Sequence, residues 1–378
     1  MCDRPIPRVL IADDQPDVLA ALRLLLREGD FDSDSACSPE AVRERLGTGQ
    51  YDLLLMDLNY ARDTTSGREG MDLLREVHDR DRSLPIIVMT GWGSIDSAVE
   101  AMRLGARTFV HKPWDNAALT RTIKREIEEG FEMRRADAFA RRENENARVV
   151  QRALLPSTLP SLHGCDVAAA WQPASTFGGD CYDALRFADT SMGISIADVA
   201  GKGLPAALVM ANLQASIRAF AEPHVTPESV AANVNRLVCR NVNLSTLVTF
   251  FYGVIDCATH TMTFTNAGHN PPILMRSDGS VERLAAGGTV LGLSAETRFD
   301  RGNTALRPGD RLVLFTDGIT EAERADELEF GDDRLIEALQ SMRHLSARDL
   351  VERLIAEVRE FAGGAFRDDA TLVCVAIG

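Results

Sequence analysis

The chain has 378 residues, 45% of them hydrophobic, and a formal net charge of −15. That length suits two domains better than one, and the acid excess argues against nucleic acid or an anionic membrane as the main partner. No run of about 18 apolar residues occurs, so no membrane span is expected. The start, MCDRPIPRVLIADD, lacks the apolar core of a signal peptide. Seven scattered cysteines (Cys2, Cys37, Cys165, Cys181, Cys239, Cys257, Cys374) are odd in number and without CxxC spacing. Reduced thiols and a cytoplasmic location are therefore expected.

Over residues 1–125 apolar runs alternate with amphipathic ones. Residues 8–12, 52–56, 85–89 and 108–110 read as strands, and residues 16–27 as a helix with leucines at Leu19, Leu22 and Leu26. This alternation predicts an α/β doubly wound parallel sheet covered on both faces. Ligands of such sheets bind beyond the carboxyl ends of the strands. Those ends carry Asp13, Asp14, Asp57, Thr90 and Lys112. The acids suit Mg²⁺, and the hydroxyl and ammonium suit phosphoryl oxygens.

The DD pair, MDLN around Asp57, MTG at Thr90 and GARTFVHKP ending in Lys112-Pro113 together resemble a response-regulator receiver. The resemblance implies that Asp57 accepts a phosphoryl group from a cognate histidine kinase. Mg²⁺ would be held by Asp13, Asp14, Asp57 and the carbonyl of Asn59. Thr90, Phe109 and Lys112 would form the switch, and the Lys112–Pro113 bond is cis in many relatives. The loop after Asp57, NYARDTTSGREG, is longer than the family's usual short turn.

Residues 126–156 are expected to be a helical linker. The stretch 116–155 holds no proline and is rich in Arg and Glu, so it reads as one long helix or two in series, with Gly130 as a candidate break. Leu119, Ile123 and Ile127 form a stripe suited to packing on the first domain. Ala147, Val150 and Leu154 form a second, patchier stripe. A solvated spacer and a homodimer through the linker helix both fit.

Residues 157–378 read as α+β. Strands are expected at 167–171, 192–197, 247–255, 262–265, 312–316 and 371–377, and helices at 204–221, 227–241, 334–342 and 346–361. Acids recur at strand-to-turn positions: Asp180 with Asp183 three residues on, Asp198 before Gly201 and Gly203, Asp317, and the Asp368–Asp369 pair. A strand pair would bring Asp180 and Asp198 to the same end of a sheet. Carboxylates without His or Cys ligands suit Mg²⁺ or Mn²⁺. Cys181 lies among them but lacks a histidine partner, which argues against a nucleophile.

The ordered set FGGDCYD, IADVAGKGLPAA, NAGHNPP, FTDGITEA and DDATLV, preceded by QRALLPSTLP, resembles the metal-dependent protein Ser/Thr phosphatases (PPM) in their SpoIIE-like branch. The resemblance implies a PPM-type β-sandwich flanked by helices and a catalytic set of Asp180, Asp198, Asp317 and Asp368. Two Mn²⁺ or Mg²⁺ ions would bind those acids and the carbonyl of Val199, with Asp183 and Asp369 supporting them. His269 would either serve the NAGHNPP turn structurally or approach substrate, and Lys202 replaces a histidine common in relatives. By the same resemblance the substrate is a phosphorylated anti-sigma-factor antagonist in a partner-switching pathway. The rival expectation is a non-catalytic adaptor that binds a sigma factor or its regulator; loss of the acids would mark it, and they are present. No DNA-binding output is expected, since nothing after the receiver resembles a basic helix-turn-helix.

Overall fold

Residues 6–60, 68–91, 95–160, 162–241 and 246–378 are described by the computed structural model. The chain divides into two compact units, Met1–Glu143 and Asn144–Gly378. In the first, β1 (Arg8–Ala12), α1 (Pro16–Glu28), β2 (Asp32–Ala36), α2 (Pro39–Thr48), β3 (Leu53–Asp57), α3 (Arg68–Arg80), β4 (Ile86–Thr90), α4 (Ile95–Arg103) and β5 (Thr108–His111) alternate. The strands pair in parallel in the order β2-β1-β3-β4-β5. Successive side chains of a strand face opposite ways. Leu54, Met56, Ile86 and Val88 thus fill one core, while Leu53, Leu55, Ile87 and Met89 fill the other. Strand β2, DSDSA, has no apolar run and sits at the sheet edge, which is why hydrophobic patterning passes over it.

Helix α5 (Asn116–Leu154) is continuous for 39 residues. Leu119, Ile123 and Ile127 pack into the core beside β1 and β4, as their spacing predicts. Gly130 does not break the helix. A Cβ there would lie 2.7 Å from Pro85 Cγ, so this glycine permits close packing rather than a bend. The boundary between the two units falls inside α5, at Glu143–Asn144. Near its end Val150 of the second stripe is exposed, and Gln151 beside it is buried.

The second unit continues with β6 (Cys165–Gln172), β7 (Cys181–Arg186), β8 (Ser191–Val199), α6 (Leu204–Phe220), α7 (Pro227–Asn241), β9 (Val248–Asp256) and β10 (Thr261–Ala267). Short strands follow, β11 (Ile273–Met275), β12 (Val281–Arg283), β13 (Gly287–Gly288) and β14 (Gly302–Ala305). Then come β15 (Arg311–Phe315), α8 (Asp317–Thr320), α9 (Gly331–Met342), α10 (Ala347–Phe361) and β16 (Ala370–Ile377). One sheet runs β13-β10-β9-β8-β7, with β14 also on β10; the other runs β12-β11-β15-β16-β6. Val373 and Val375 of β16 join the core shared with β8 and β9. Leu372, Cys374 and Ala376 face the cluster that includes Leu350, Leu354 and Val358 of α10. Helices α6 and α7 pack on the first sheet. The result is the expected β-sandwich between helices. Strands β11–β14 are too short, and β7 too irregular in pattern, to stand out in the sequence.

One expectation needs amendment. Cys165 and Cys257 form a disulfide rather than remaining thiols; 92 residues separate them, and the sheets bring the start of β6 to the end of β9. Cys37, Cys181, Cys239 and Cys374 are free. Of the long loop after Asp57, residues 61–67 lie outside the described residues.

Helix α3 approaches the backbone after Asp57 closely: a Cβ on Gly70 would lie 2.3 Å from the Leu58 carbonyl oxygen and 2.5 Å from its Cα. Backbone cannot yield as a side-chain tip does. Gly70→Ala is therefore expected to destabilise the first unit by about 2–3 kcal/mol, despite the better helix propensity of alanine. Chemical denaturation of the full chain checks this; an unchanged midpoint would contradict it.

Candidate functional sites

In the first unit, Asp13, Asp14 and Asp57 converge at the carboxyl ends of β1 and β3. Their oxygens all lie within 4.8 Å of one another, the one such group of metal-ligating residues among those described. Lys112 Nζ donates to Asp13 Oδ2 at 2.5 Å and to Asp57 Oδ2 at 2.7 Å. Asp57 is buried, and burial pushes its carboxyl up; Lys112 pulls it back. Burial lowers the Lys112 ammonium, yet the two acids outweigh this and raise it. Leu58 N–H donates to Asp57 Oδ1 at 2.8 Å. Thr90 is buried at the end of β4, and its carbonyl accepts from Lys112 N–H. Phe109 is exposed and edge-on to His111. The Lys112–Pro113 peptide is cis. Asn59 lies two residues beyond Asp57, and its N–H also bonds the Asp57 carboxylate. A set of three hard oxygen donors fits Mg²⁺.

In the second unit, the acids come from both sheets. Antiparallel pairing of Cys181 with Ala197 sets Asp180 opposite Asp198 at one end of the β7–β8 pair. Pairing of Phe315 with Leu372 sets Thr316 and Asp317 beside Asp368 and Asp369 at one end of the β15–β16 pair. The two ends meet at Asp180. Its Oδ2 accepts from Thr371 Oγ1 at 2.6 Å and Thr316 Oγ1 at 2.7 Å, so two hydroxyls of one sheet grip a carboxylate of the other.

Burial is the largest cause raising the carboxyls of Asp180, Asp198, Asp317 and Asp369. Like charges add to it: Asp198 acts on Asp180, and Asp317 and Asp368 act on Asp198. Such crowding is relieved by protons or by bound cations. As hard oxygen donors the carboxylates fit Mg²⁺ or Mn²⁺. The Val199 carbonyl faces Gly179, where a Cβ would lie 2.8 Å from it.

The remaining residues divide by what they touch. Asp369 turns away from an open ligand position: its Oδ1 accepts from Ala174 N–H and its Oδ2 from Gly179 N–H, at 2.8 and 2.6 Å. It thereby holds the loop that delivers Asp180. Asp183 faces α6 and pairs with Arg218 Nε at 2.6 Å. Asp368 is half exposed and pairs with Lys202 Nζ at 2.8 Å, while Lys202 also donates to the Arg367 carbonyl. Burial raises the Cys181 thiol, which disfavours the thiolate a nucleophile needs.

His269 is buried between the sheets. Its Nε2–H donates to the Phe315 carbonyl at 3.1 Å, and its Nδ1 accepts from Thr249 Oγ1 at 2.8 Å. It braces the strand end that carries Asp317. Thr316, Thr371 and Arg218 escaped the sequence reading. The first two sit inside the FTDG and DDAT motifs, where the aspartates drew attention; Arg218 carried no local signal.

Comparison with known proteins gives matches over both units. Residues 188–378 match the family described as Stage II sporulation protein E (SpoIIE), and residues 9–124 match the response regulator receiver domain. Phosphoserine phosphatase RsbU of Bacillus subtilis is 34% identical over 236 residues, covering 61% of this chain and 69% of RsbU. A solved structure of the RsbU and RsbW domains of a Mycobacterium tuberculosis protein is 27% identical, with a TM-score of 0.52 over 59% of this chain and 63% of that one. The SiaA-PP2C domain of Pseudomonas aeruginosa aligns with a TM-score of 0.57 over 64% of this chain and 99% of that domain. At 23% identity it speaks for the fold alone.

Burial holds the His269 imidazole down at about 4, against an ordinary value of about 6.5. The unfolded chain therefore binds more protons at this residue throughout that window. Its contribution to stability is present above about pH 6.5 and is lost as the pH falls toward 4, at most about 3 kcal/mol. The difference in denaturation free energy between wild type and His269→Gln should shrink over this window; a difference independent of pH would contradict the assignment.

Proposed function

The chain belongs to the SpoIIE family and joins a response-regulator receiver to a PPM-type protein phosphatase domain, and on that premise we propose that phosphorylation of Asp57 controls hydrolysis of phosphoserine or phosphothreonine on a protein substrate. The observation that carries this reading is the carboxylate cluster built from the ends of two sheets, with Asp180 buried and Asp198, Asp317 and Asp368 partly exposed around it. Divalent cations held there supply Lewis acidity and charge neutralisation for in-line displacement at phosphorus. The protein's part is placement. Thr316 and Thr371 orient Asp180, Asp369 fixes its loop, and the Val199 carbonyl adds a neutral donor. Lys202, on the rim at Asp368, offers an exposed ammonium to a phosphate dianion approaching an acidic site.

The substrate class follows from likeness to a phosphoserine phosphatase. A phosphorylated anti-sigma-factor antagonist in a partner-switching pathway is our assignment by analogy. In the receiver, Asp57 is the phosphoacceptor, Lys112 and Thr90 receive the phosphoryl oxygens, and Asp13, Asp14 and the Asn59 carbonyl hold Mg²⁺. A histidine kinase is the donor, and α5 carries the signal onward. The exposed Phe139 and Val150 stand eleven residues apart on one helical face, which supports a homodimer through α5. Retention of the acids weighs against an adaptor without catalysis. Among the described residues no helix is long and apolar enough to cross a membrane.

Hydrolysis of p-nitrophenyl phosphate by the full chain in Mn²⁺, with and without beryllofluoride as a mimic of phospho-Asp57, tests the reading. Turnover that is abolished by chelator and by Asp198→Ala, and altered by beryllofluoride in wild type but not in Asp57→Asn, is expected. Absence of turnover on this ester and on a phosphoserine protein alike would defeat it.

A further inference from the structure

Gln151 lies near the end of α5, on a stretch where Val149, Val150 and Arg152 are exposed, yet it is only 5% exposed itself. Its side-chain nitrogen donates to the Gly178 carbonyl at 2.6 Å, and its side-chain oxygen accepts from Gly178 N–H at 3.3 Å. One amide thus satisfies both backbone groups of one residue, as a neighbouring strand would. Gly178 opens the Gly178-Gly179-Asp180 turn. Gly179 N–H is held by Asp369, and Asp180 by the two threonines.

There is no slack in this turn. A Cβ on Gly178 would lie 2.9 Å from both Trp171 and Asp369 Oδ2. The helix end is also fixed: Gln214 Nε2 donates to the Leu154 carbonyl at 2.5 Å, and Leu155 is buried in the main core. Gln151 therefore couples a fixed helix end to the segment that places Asp180 against Asp198. Among the described residues, Gln151 supplies both hydrogen bonds of the Gly178 backbone.

We propose that Gln151 is a positioning residue for the phosphatase metal site: its amide fixes the Gly178 peptide, and the affinity for divalent cations depends on that bond. The proposal rests on Asp180 and Asp198 being cation ligands. Loss of a group that orients ligands typically weakens metal affinity by roughly 10- to 100-fold.

The test uses the full chain with Gln151→Leu, which keeps the volume but no polar atoms, and Gln151→Glu, which keeps the shape but puts an oxygen against the Gly178 carbonyl. Mn²⁺ binding without substrate is read from the electron paramagnetic resonance of free Mn²⁺. The half-saturating Mn²⁺ concentration is read from p-nitrophenyl phosphate hydrolysis. Both variants should bind Mn²⁺ at the phosphatase site roughly 10- to 100-fold more weakly, with turnover recovering toward wild type at saturating Mn²⁺.

A residue that merely supports folding would lower the fraction of active molecules and leave half-saturation unchanged. Wild-type half-saturation and binding in the variants would overturn the proposal. Should Gln151→Leu fail to fold, Gln151→Glu decides. If wild type binds Mn²⁺ but turns over nothing, the enzymatic reading fails while the binding comparison still judges Gln151.

Discussion

Burial of like charges is the constraint around which the second unit is built. Asp180, Asp198, Asp317 and Asp369 all have carboxyls raised above their ordinary range, with desolvation the leading cause and the charge of neighbouring carboxylates adding to it. Replacing such a cluster with apolar side chains would normally favour folding. Its presence marks a place where the fold accepts instability in exchange for a cation site. The devices around it compensate: two threonine hydroxyls on Asp180, two backbone N–H groups on Asp369, and Arg218 on Asp183.

The same logic governs the receiver with a different solution. There a resident cation, Lys112, already bridges Asp13 and Asp57, so the pocket is partly neutralised by the chain itself. In the phosphatase unit Lys202 reaches the exposed rim of the cluster at Asp368, while the charge of Asp198 raises the buried Asp180 carboxyl.

Much of this was legible in the sequence. The parallel sheet showed in continuous apolar runs such as LLLMD and IIVMT, and acids at their ends pointed to a phosphoryl site. The meeting of Asp180 with Asp198 followed from a strand pair across a glycine turn. What stayed hidden is what only tertiary structure assembles. Thr316 and Thr371 are 55 residues apart and meet on an acid far from both. Cys165 and Cys257 have no telling spacing. Gln151 looks like one more polar residue on a polar helix. Gly130 read as a break because glycine weakens helices, whereas contact with Pro85 required it. The β2 and β11–β14 strands carry too little apolar pattern to outweigh turn-like composition.

The central claim is that the carboxylate cluster is held in strain until cations neutralise it. Calorimetric unfolding of the full chain, in chelator and in Mn²⁺, compared between wild type and Asp198→Asn, tests this most directly. The account predicts that Mn²⁺ raises the transition of the C-terminal unit in wild type, because ligand binding to the native state stabilises it. It predicts too that Asp198→Asn in chelator is at least as stable as wild type, and gains little from Mn²⁺. A wild-type transition indifferent to Mn²⁺, together with an Asp198→Asn protein less stable than wild type in chelator, would contradict it.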